Sequence, residues 1–316
     1  MKLFKQLACI ILVASIFVGM DLFVYNYLTK MYINHSSAEM QAKSVEVSKY
    51  LPFDEESGIV RYDSELKLEG DIPIIDGAAA LVPVYSAFVN SIYPEESVSF
   101  DGEDFTTDSK MQYHNTRGAF TAVVDGDVDI IICAGPSSEQ LEYAKSKGVE
   151  LELIPLGYEA FVFLVNQDNP VDDLSVEQVK GIYSGKYTNW SEVGGDNRPI
   201  EALQRNSGSG SQTALLMFMG DTPVVKKYTG INPRTIGFSF RYYVESVVQN
   251  GSIKMLSLNG IYPSKENIAN GTYPMYSYFY AIYVKDNDNP NIQVMIDWML
   301  SDEGQKIIDE SGYVPL

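Results

Sequence analysis

The stretch Gln204-Arg-Asn-Ser-Gly-Ser-Gly-Ser-Gln-Thr213, followed by the apolar run 214–219, indicates both a fold and a kind of ligand. It is typical of a turn that follows a strand and begins a helix. The first turn of a helix carries backbone N–H groups without an intrahelical acceptor, at the positive end of the helix dipole. Glycine lets a ligand approach these groups, serine adds hydroxyl donors, and Arg205 adds a planar cation suited to phosphate or carboxylate. Because these groups all donate hydrogen bonds, the stretch predicts an anion site.

The composition is that of a globular protein whose partner is not nucleic acid. The chain has 316 residues, of which 45% are hydrophobic and 21% are charged, enough for a large core in one to three domains. Its formal net charge is −19, with 23 Lys and Arg against 42 Asp and Glu. Nucleic-acid binding needs a basic patch, so this charge argues against it. A small anion must therefore be held by local donors against an unfavourable overall field.

The cysteines and histidines do not predict a disulfide or a metal site. Cys9 lies in the leading apolar run and Cys133 in a predicted buried strand, so the two are not expected to meet. The two histidines, His35 and His114, do not support a zinc site, and no metal or other cofactor is expected. For His114, which precedes a candidate binding loop, a structural or surface role is favoured over pH sensing.

The N-terminus predicts a membrane anchor. Lys2 and Lys5 precede the uncharged, mostly apolar residues 7–20, and the apolar character resumes after Asp21 as far as residue 28. Residues 7–28 number about 22, long enough to cross a bilayer, and no small-residue cleavage site stands out. We therefore favour an uncleaved signal-anchor, or transmembrane segment, at 1–32 over a cleaved signal peptide. Both place the remaining chain outside the cytoplasm, beginning with a polar tether at 33–70.

Beyond residue 70, predicted strands alternate with predicted helices. The strands are predicted at 71–77, 128–133, 150–154, 158–165, 200–204, 236–240, 253–258 and 276–284, and the main helices at 78–93, 138–147, 176–184, 290–300 and 302–311. This alternation predicts an α/β architecture with largely parallel sheets. Three strand-to-helix junctions, which begin at Gly77, Thr116 and Ser209, combine small residues with hydroxyls. Open α/β sheets bind ligands beyond the carboxyl ends of their strands, so the three junctions predict one shared site.

The chain also resembles a family, the solute-binding proteins of ABC-type phosphate importers, in a group common among Gram-positive bacteria. The matching stretches are 77–85, 160–171, Ile182-Tyr-Ser-Gly185 with Asn189-Trp190, the turn 205–211, and 301–316 with its ending Gly312-Tyr-Val-Pro-Leu316. The resemblance covers about residues 70–316. It implies a two-lobe periplasmic-binding-protein-like (type II) fold with hinge strands, in addition to the N-terminal transmembrane helix. The implied lobes are 71–157 with 272–316, and 158–271, with the ligand in the cleft between them.

The resemblance also implies which residues hold the ligand. Ser211 stands where the family usually has a threonine, and Thr116 where it has a serine at a helix start, so both positions keep a hydroxyl. Ala79 and Ala80 replace a threonine and an aromatic residue, which leaves only their backbone N–H groups as donors. Arg117 adds a charge that the standard site lacks. The implied ligand-binding set is Ala79, Ala80, Thr116, Arg117, Arg205, Ser209, Gly210 and Ser211.

The chain departs from the family at one important position. The family has an aspartate that accepts a hydrogen bond from a protonated phosphate oxygen, whereas the matching stretch here, Cys133-Ala-Gly-Pro136, contains no carboxylate. A carboxylate acceptor rejects fully ionised anions such as sulfate, because lone pairs would then face each other. Without it, we expect weaker discrimination between phosphate and sulfate, or a different ligand.

These observations predict a membrane-tethered, extracytoplasmic binding protein of the bacterial cell membrane, which is not an enzyme. We expect it to capture inorganic phosphate or a related oxyanion for an ABC importer, with the importer's membrane subunits as partners and the N-terminal segment in the membrane. Three alternatives remain open at this point. They are a sensing receptor for another small anion such as a carboxylate, a hydrolase that uses Ser209 or Ser211, and a surface interaction module with a degenerate cleft.

Overall fold

The computed structural model describes residues 45–206, 209–225, 234–248 and 251–316, together with the isolated positions Met20 and Val24. Apart from those two positions, the predicted signal-anchor at 1–32 and the first part of the predicted tether lie outside the described residues. Ser207 and Gly208 of the predicted anion-binding turn lie outside them as well. Within the described residues, we find no helix with the length and apolar character needed to cross a bilayer.

The described strands form one mixed sheet and a separate two-stranded pair. The strands are β1 (Ile75–Gly77), β2 (Ile130–Ala134), β3 (Leu151–Asn166), β4 (Asp173–Leu174), β5 (Ile200–Ala202), β6 (Arg234–Phe240), β7 (Ile253–Met255), β8 (Ser257–Leu258), β9 (Tyr276–Val284) and β10 (Val314–Pro315). The main sheet has the order β1-β2-β9-β3-β6-β5, with β7 and β10 also paired to β3, while β4 pairs with β8.

The prediction of largely parallel sheets is wrong. In the described main sheet only β1 with β2 and β5 with β6 run parallel. Strand β9 lies antiparallel between β2 and β3, and β3 is also antiparallel to β6, β7 and β10. The sequence pattern does not show this, because β9 comes from the far end of the chain and inserts between strands that precede it. The result is a mixed α/β fold.

Strand β3 joins the two halves of the main sheet. Its residues Leu151–Ala160 pair with β9, and from Phe161 to Val165 they pair with β6. The two strands predicted at 150–154 and 158–165 are therefore one strand, interrupted only by a change of register between Pro155 and Gly157. A proline followed closely by a glycine is a usual sign of a strand end, but both are also tolerated at a bulge.

Helices cover both halves of the sheet and follow the predicted positions. The α-helices are α1 (Val82–Ile92), α2 (Asn115–Asp125), α3 (Ser138–Ser146), α4 (Val176–Tyr183), α5 (Gly210–Met219), α6 (Lys265–Ala269), α7 (Asn291–Met299) and α8 (Asp302–Glu310). A 3-10 turn, Ala79–Leu81, precedes α1, and a π-helical turn, Tyr243–Val248, follows β6. Helices α3 and α4 begin with capping boxes at Ser137 and Ser175, which satisfy N–H groups of their first turns.

The core consists of apolar side chains that helices and strands bury against each other. On the first half of the sheet, Tyr85 and Phe88 of α1 and Phe120 of α2 are almost fully buried. On the second half, the ring of Tyr183 in α4 lies 5.9 Å from the ring of Phe238 in β6. These contacts attach α1, α2 and α4 to the sheet and leave the starts of α2 and α5 at its strand ends.

The predicted tether at 33–70 does not extend through residues 45–70. Val45, Val47, Ile59 and Leu68 are buried in the core, and the Leu68 N–H donates to the Ile92 carbonyl at 2.8 Å. These apolar residues are spaced irregularly among many polar ones. The composition of residues 45–70 is therefore polar on average, and it does not indicate a folded segment. The few apolar side chains nevertheless attach the segment to the core.

Candidate functional site

The three predicted junctions meet at a single cleft of about 490 Å³. They come from distant parts of the chain, at the ends of β1 and β5 and at the start of α2. None of the described residues that line the cleft is acidic, so its polar groups are hydroxyls, amides and two guanidinium groups. The cleft brings together the whole predicted set, Ala79, Ala80, Thr116, Arg117, Arg205, Ser209, Gly210 and Ser211.

The first junction runs from β1 into the 3-10 turn that precedes α1. Gly77 leaves no room for a side chain, because a Cβ there would lie 2.6 Å from the Ile132 carbonyl oxygen and 2.8 Å from the ring of Tyr85. The chain can therefore pass close to β2 before it turns. The N–H groups of Ala79 and Ala80 lie in the first turn, where helix geometry provides no acceptor. Tyr313 donates its hydroxyl hydrogen to the Ala80 carbonyl and holds the turn in place.

The second junction, at the start of α2, is tied to the first by a buried carboxylate. Asp76 is fully buried and its Oδ1 accepts hydrogen bonds from the N–H groups of Gly77 (2.6 Å) and His114 (3.0 Å). Its Oδ2 lies 2.7 Å from Nδ1 of His114. This hydrogen bond and the charge of Asp76 raise the pKa of the His114 imidazole above its ordinary value, although its partial burial acts in the opposite direction. Asp76 thus sets the position of Thr116.

The third junction is the start of α5. Ser209 is its N-cap, and the Ser209 Oγ accepts the N–H of Gln212 at 3.2 Å. The Gln212 side chain does not return to the cap as it would in a capping box. Its Oε1 instead accepts the backbone N–H of Arg205 at 2.8 Å. The helix start therefore positions the backbone of Arg205, and Ser211 lies buried in the first turn beside it.

The guanidinium of Arg205 has no anionic partner among the described residues. No carboxylate there lies within ion-pair distance of it, whereas Arg241 of the same half of the molecule is paired with Glu245. Partial burial lowers the pKa of Arg205, and the nearby Tyr243 acts in the opposite direction. An arginine nevertheless remains protonated in proteins, so the cleft contains a partly desolvated cation without a described counter-ion. Such a group is stabilised by an anion that enters the cleft.

The second and third junctions touch across the cleft. A Cβ at Gly210 would lie 3.4 Å from the Thr116 Oγ1 and 3.7 Å from the Phe240 ring. The starts of α2 and α5 therefore face the same small volume, and both contribute the positive end of a helix dipole. Arg117 also lines the cleft but is exposed to solvent, so its charge acts at the rim.

Several groups in and around the cleft were not predicted. Ser239 and Phe240 end β6, and Tyr243 begins the π-helical turn after it. No local motif marks them, because they reach the cleft only through the pairing of β6 with β3. Asp76 and Gln212 were missed as positioning residues, although each had a signal. Asp76 directly follows a buried apolar run, and Gln212 stands three residues after the cap Ser209. The remaining unpredicted residues that line the cleft are Ala78, Asn115 and Asn206.

Comparison with known proteins shows the family to which the chain belongs. The profile of a family described as the PBP superfamily domain matches residues 96–303. Phosphate-binding protein PstS of Bacillus subtilis (strain 168) is 27% identical over 269 residues, which cover 80% of this chain and 83% of that protein. Phosphate-binding protein PstS of Staphylococcus saprophyticus is 26% identical over 261 residues, with coverage of 76% and 79%.

Solved structures show the same fold. A structure from Clostridium perfringens, described as a phosphate ABC transporter substrate-binding protein with bound phosphate, matches with a TM-score of 0.58 at 23% identity, covering 77% of this chain and 98% of that one. An ABC-type phosphate transport receptor from Vibrio cholerae matches with a TM-score of 0.55 at 22% identity and covers 77% and 99%. At these sequence identities the two matches show a similar fold and nothing beyond it. It confirms the periplasmic-binding-protein-like α/β architecture expected from the sequence.

Proposed function

The chain belongs to the PBP superfamily, and from this premise we propose that it is a solute-binding protein that captures inorganic phosphate for an ABC importer. The observation that carries the proposal is the cleft in which two helix starts converge with Arg205, a partly buried cation with no described counter-ion. The names of the relatives from Bacillus and Staphylococcus, which are phosphate-binding proteins, support the choice of anion.

Capture requires binding groups only, and no covalent step. The N–H groups of Ala79 and Ala80, the hydroxyls of Thr116 and Ser211, and the guanidinium of Arg205 would each donate a hydrogen bond to a phosphate oxygen. Hydrogen bonds to a charged partner contribute roughly 1.5–3 kcal/mol each, so a few of them suffice for tight binding. The Ser209 Oγ accepts a hydrogen bond in the cap of α5, which leaves its hydroxyl hydrogen available to the anion.

The proposal includes a two-lobe, type II arrangement. Residues 71–157 with 272–316 would form one lobe and 158–271 the other, with β3 and β9 as connecting strands near the change of pairing at Ala160 and Phe161. Closure of the two lobes around the anion would hold the junctions of α2 and α5 in their contact across the cleft. The N-terminal signal-anchor at 1–32 would hold the protein at the extracytoplasmic face of a bacterial cell membrane, close to the membrane subunits of the importer.

Replacement of Arg205 by alanine tests the proposal. We expect Arg205→Ala to weaken phosphate binding at least tenfold, because the loss of one charged hydrogen bond removes about 1.4 kcal/mol or more. Isothermal titration of the full chain in detergent with phosphate measures the effect. Arg198→Ala, which removes an exposed arginine outside the cleft, should leave the affinity unchanged.

Three results would count against this function. An unchanged phosphate affinity in Arg205→Ala would remove Arg205 from the site. Wild-type protein that binds a small carboxylate but not phosphate would favour the sensing receptor instead, an alternative that the absence of a carboxylate at 134–136 keeps open. Hydrolysis of a chromogenic phosphate ester that disappears in Ser209→Ala would point to an enzyme.

A further inference from the structure

A buried glutamate lies beside the cleft, on the strand that joins the two halves of the sheet. Glu159 of β3 is only 4% exposed, and its ionic contact among the described residues is a long one, with the Nε of Arg241 at 3.8 Å. It lines a small cavity of about 20 Å³ that adjoins the cleft, room for roughly one oxygen-sized group. The cavity and the cleft share the residues Ala78, Ala80, Thr116, Gly210 and Phe240.

One oxygen of this carboxylate has no described partner. Its Oε1 accepts the N–H of Ala160 at 2.8 Å, which sets the orientation of the group. Its Oε2 is buried and makes no hydrogen bond of normal geometry with the described residues, although the backbone N–H of Tyr242 is close enough to lower the pKa of the carboxyl. The nearest cation, Arg241, has its Nε 3.8 Å from Oε1, too far for a hydrogen bond. The guanidinium of Arg241 is instead held by Glu245 and by the Gly312 carbonyl at 2.5 Å.

An unpartnered buried carboxylate oxygen is costly, and such groups usually have a function that explains them. The buried carboxylate of Asp76 differs from that of Glu159 in its hydrogen bonds. Asp76 is also buried, yet both of its oxygens are occupied by Gly77 and His114. Asp76 therefore has a complete structural role, while the Oε2 of Glu159 can still accept a hydrogen bond of normal geometry.

The sheet register places Glu159 on the same face as the position that lacks a carboxylate. Strand β9 lies between β2 and β3, with Phe279 opposite Ala134 and Ser277 opposite Glu159. Residues opposite each other, and residues two apart on one strand, share a face of the sheet. Ala134 and Glu159 both line the small cavity. Ala134 has only a methyl group, so it leaves part of this cavity open. The longer side chain of Glu159 provides a carboxylate in the same cavity.

We propose that Glu159 is a specificity-determining residue of the anion site, whose Oε2 accepts a hydrogen bond from the hydroxyl of a protonated oxyanion and so favours phosphate over sulfate. This inference rests on the proposed function. Hydrogen phosphate carries a hydroxyl donor near neutral pH, whereas sulfate is fully ionised and offers only acceptors. A sulfate oxygen would meet the Glu159 carboxylate with lone pairs facing each other, without a proton between them.

The protonation of Glu159 makes this discrimination dependent on pH. Burial raises the pKa of Glu159 to about 7, partly offset by the charge of Arg241. Above that pH the carboxylate is an acceptor, and below it the protonated group can donate to sulfate. The other titratable groups around it are Arg241, Tyr242 and Glu245 after β6, Tyr278 of β9 and Tyr313 near the C-terminus. Burial raises the pKa of Tyr313 well above its ordinary value, so its phenol stays neutral here.

The test compares Glu159→Gln with the wild type by titration of the full chain with phosphate and with sulfate at pH 8. The amide keeps the shape of the side chain but can donate to any anion. We expect the ratio of phosphate to sulfate affinity to fall at least tenfold in Glu159→Gln. Glu245→Gln, which removes the other carboxylate next to Arg241 but does not line the cavity, should change the ratio less than twofold.

A second arm measures how the affinity for sulfate depends on pH. Sulfate does not change its ionisation between pH 8 and pH 6, so a change in its affinity reports on the protein. We expect the wild type to bind sulfate at least five times more tightly at pH 6 than at pH 8. Glu159→Gln should show only the smaller increase that protonation of groups such as His114 causes in both proteins. If Glu159→Gln does not fold, the sulfate profile of His114→Gln, which removes the contribution of the histidine, decides instead.

The outcomes separate this inference from the proposed function. An unchanged affinity ratio in folded Glu159→Gln, an equal loss in Glu245→Gln, or a wild-type sulfate affinity independent of pH would each overturn the role of Glu159, while phosphate binding itself stands. A wild type that does not bind phosphate at all would overturn both.

Discussion

At the scale of single residues, the site depends on how two charged groups are placed relative to their partners. Arg205 lies in the cleft without a described carboxylate, while Asp76 behind the cleft is fully engaged with Gly77 and His114. A cation that lacks a partner attracts an anion, and a carboxylate whose oxygens are satisfied does not repel it as strongly. If Asp76 were instead paired with Arg205, the two charges would neutralise each other and the cleft would not attract an anion.

The contact between His114 and Asp76 predicts a pH-dependent contribution to stability. Because the folded protein raises the pKa of His114, protonation favours the folded state. The stabilisation is fully present below the unfolded pKa and is lost as the pH rises through the higher folded pKa. We expect His114→Gln to lower the thermal unfolding midpoint more at pH 5.5 than at pH 9. A difference between the two proteins that is the same at both pH values would contradict this.

At the scale of elements, β3 is the part of the chain for which local reasoning was least accurate. The sequence predicted two strands, at 150–154 and 158–165, yet the chain continues across a bulge between Pro155 and Gly157 and pairs with β9 on both sides of it. Gly157 is required there for space. A Cβ would lie 2.7 Å from the Val314 carbonyl oxygen of β10 and 2.8 Å from the Phe279 ring of β9.

Gly157→Ala should therefore destabilise the protein by about 1–3 kcal/mol, the usual cost of forcing extra atoms into a packed region. Urea unfolding followed by circular dichroism measures the loss. Gly251→Ala is the matched control, because a Cβ at that exposed position meets no atom within 4 Å. Equal midpoints for the two variants would show that the bulge can relax around a methyl group.

At the scale of the whole molecule, the segment 45–70 is part of the folded body. It buries Val45, Val47, Ile59 and Leu68, and Ser64 joins the C-terminal helices through hydrogen bonds to Glu303 (2.6 Å) and Trp298 (2.9 Å). The N-terminal and C-terminal ends of the described chain thus pack together around α1. A tether to a membrane would have to end before this segment.

A chain shortened to begin at residue 71 should consequently be less stable than one that begins at residue 45. Each apolar side chain that loses its burial costs roughly 1.5–3 kcal/mol, so the total loss should amount to several kcal/mol. Thermal and urea unfolding of the two shortened proteins measure the difference. Coincident unfolding curves would show that the segment contributes no stability and acts as a linker after all.

The sequence by itself predicted most elements and the residues that come together in the cleft, because the elements and junctions depend on local chemistry. Strand β9, the strand 236–240 within β6, and the helices α3 and α4 follow from hydrophobic periodicity and capping residues within a few positions. The three junctions were recognisable from glycine, hydroxyl residues and arginine close together in the chain, and all eight predicted residues line the cleft.

Packing between distant segments determines which strands are neighbours and which groups surround the cleft. The insertion of β9 between β2 and β3 makes the sheet mixed and brings Glu159 to the same face as Ala134, although the two are far apart in sequence. The burial of Asp76 and its pairing with His114 arise in the same way. Contacts between distant segments depend on the packing of the whole chain, and no local spacing of residues encodes them.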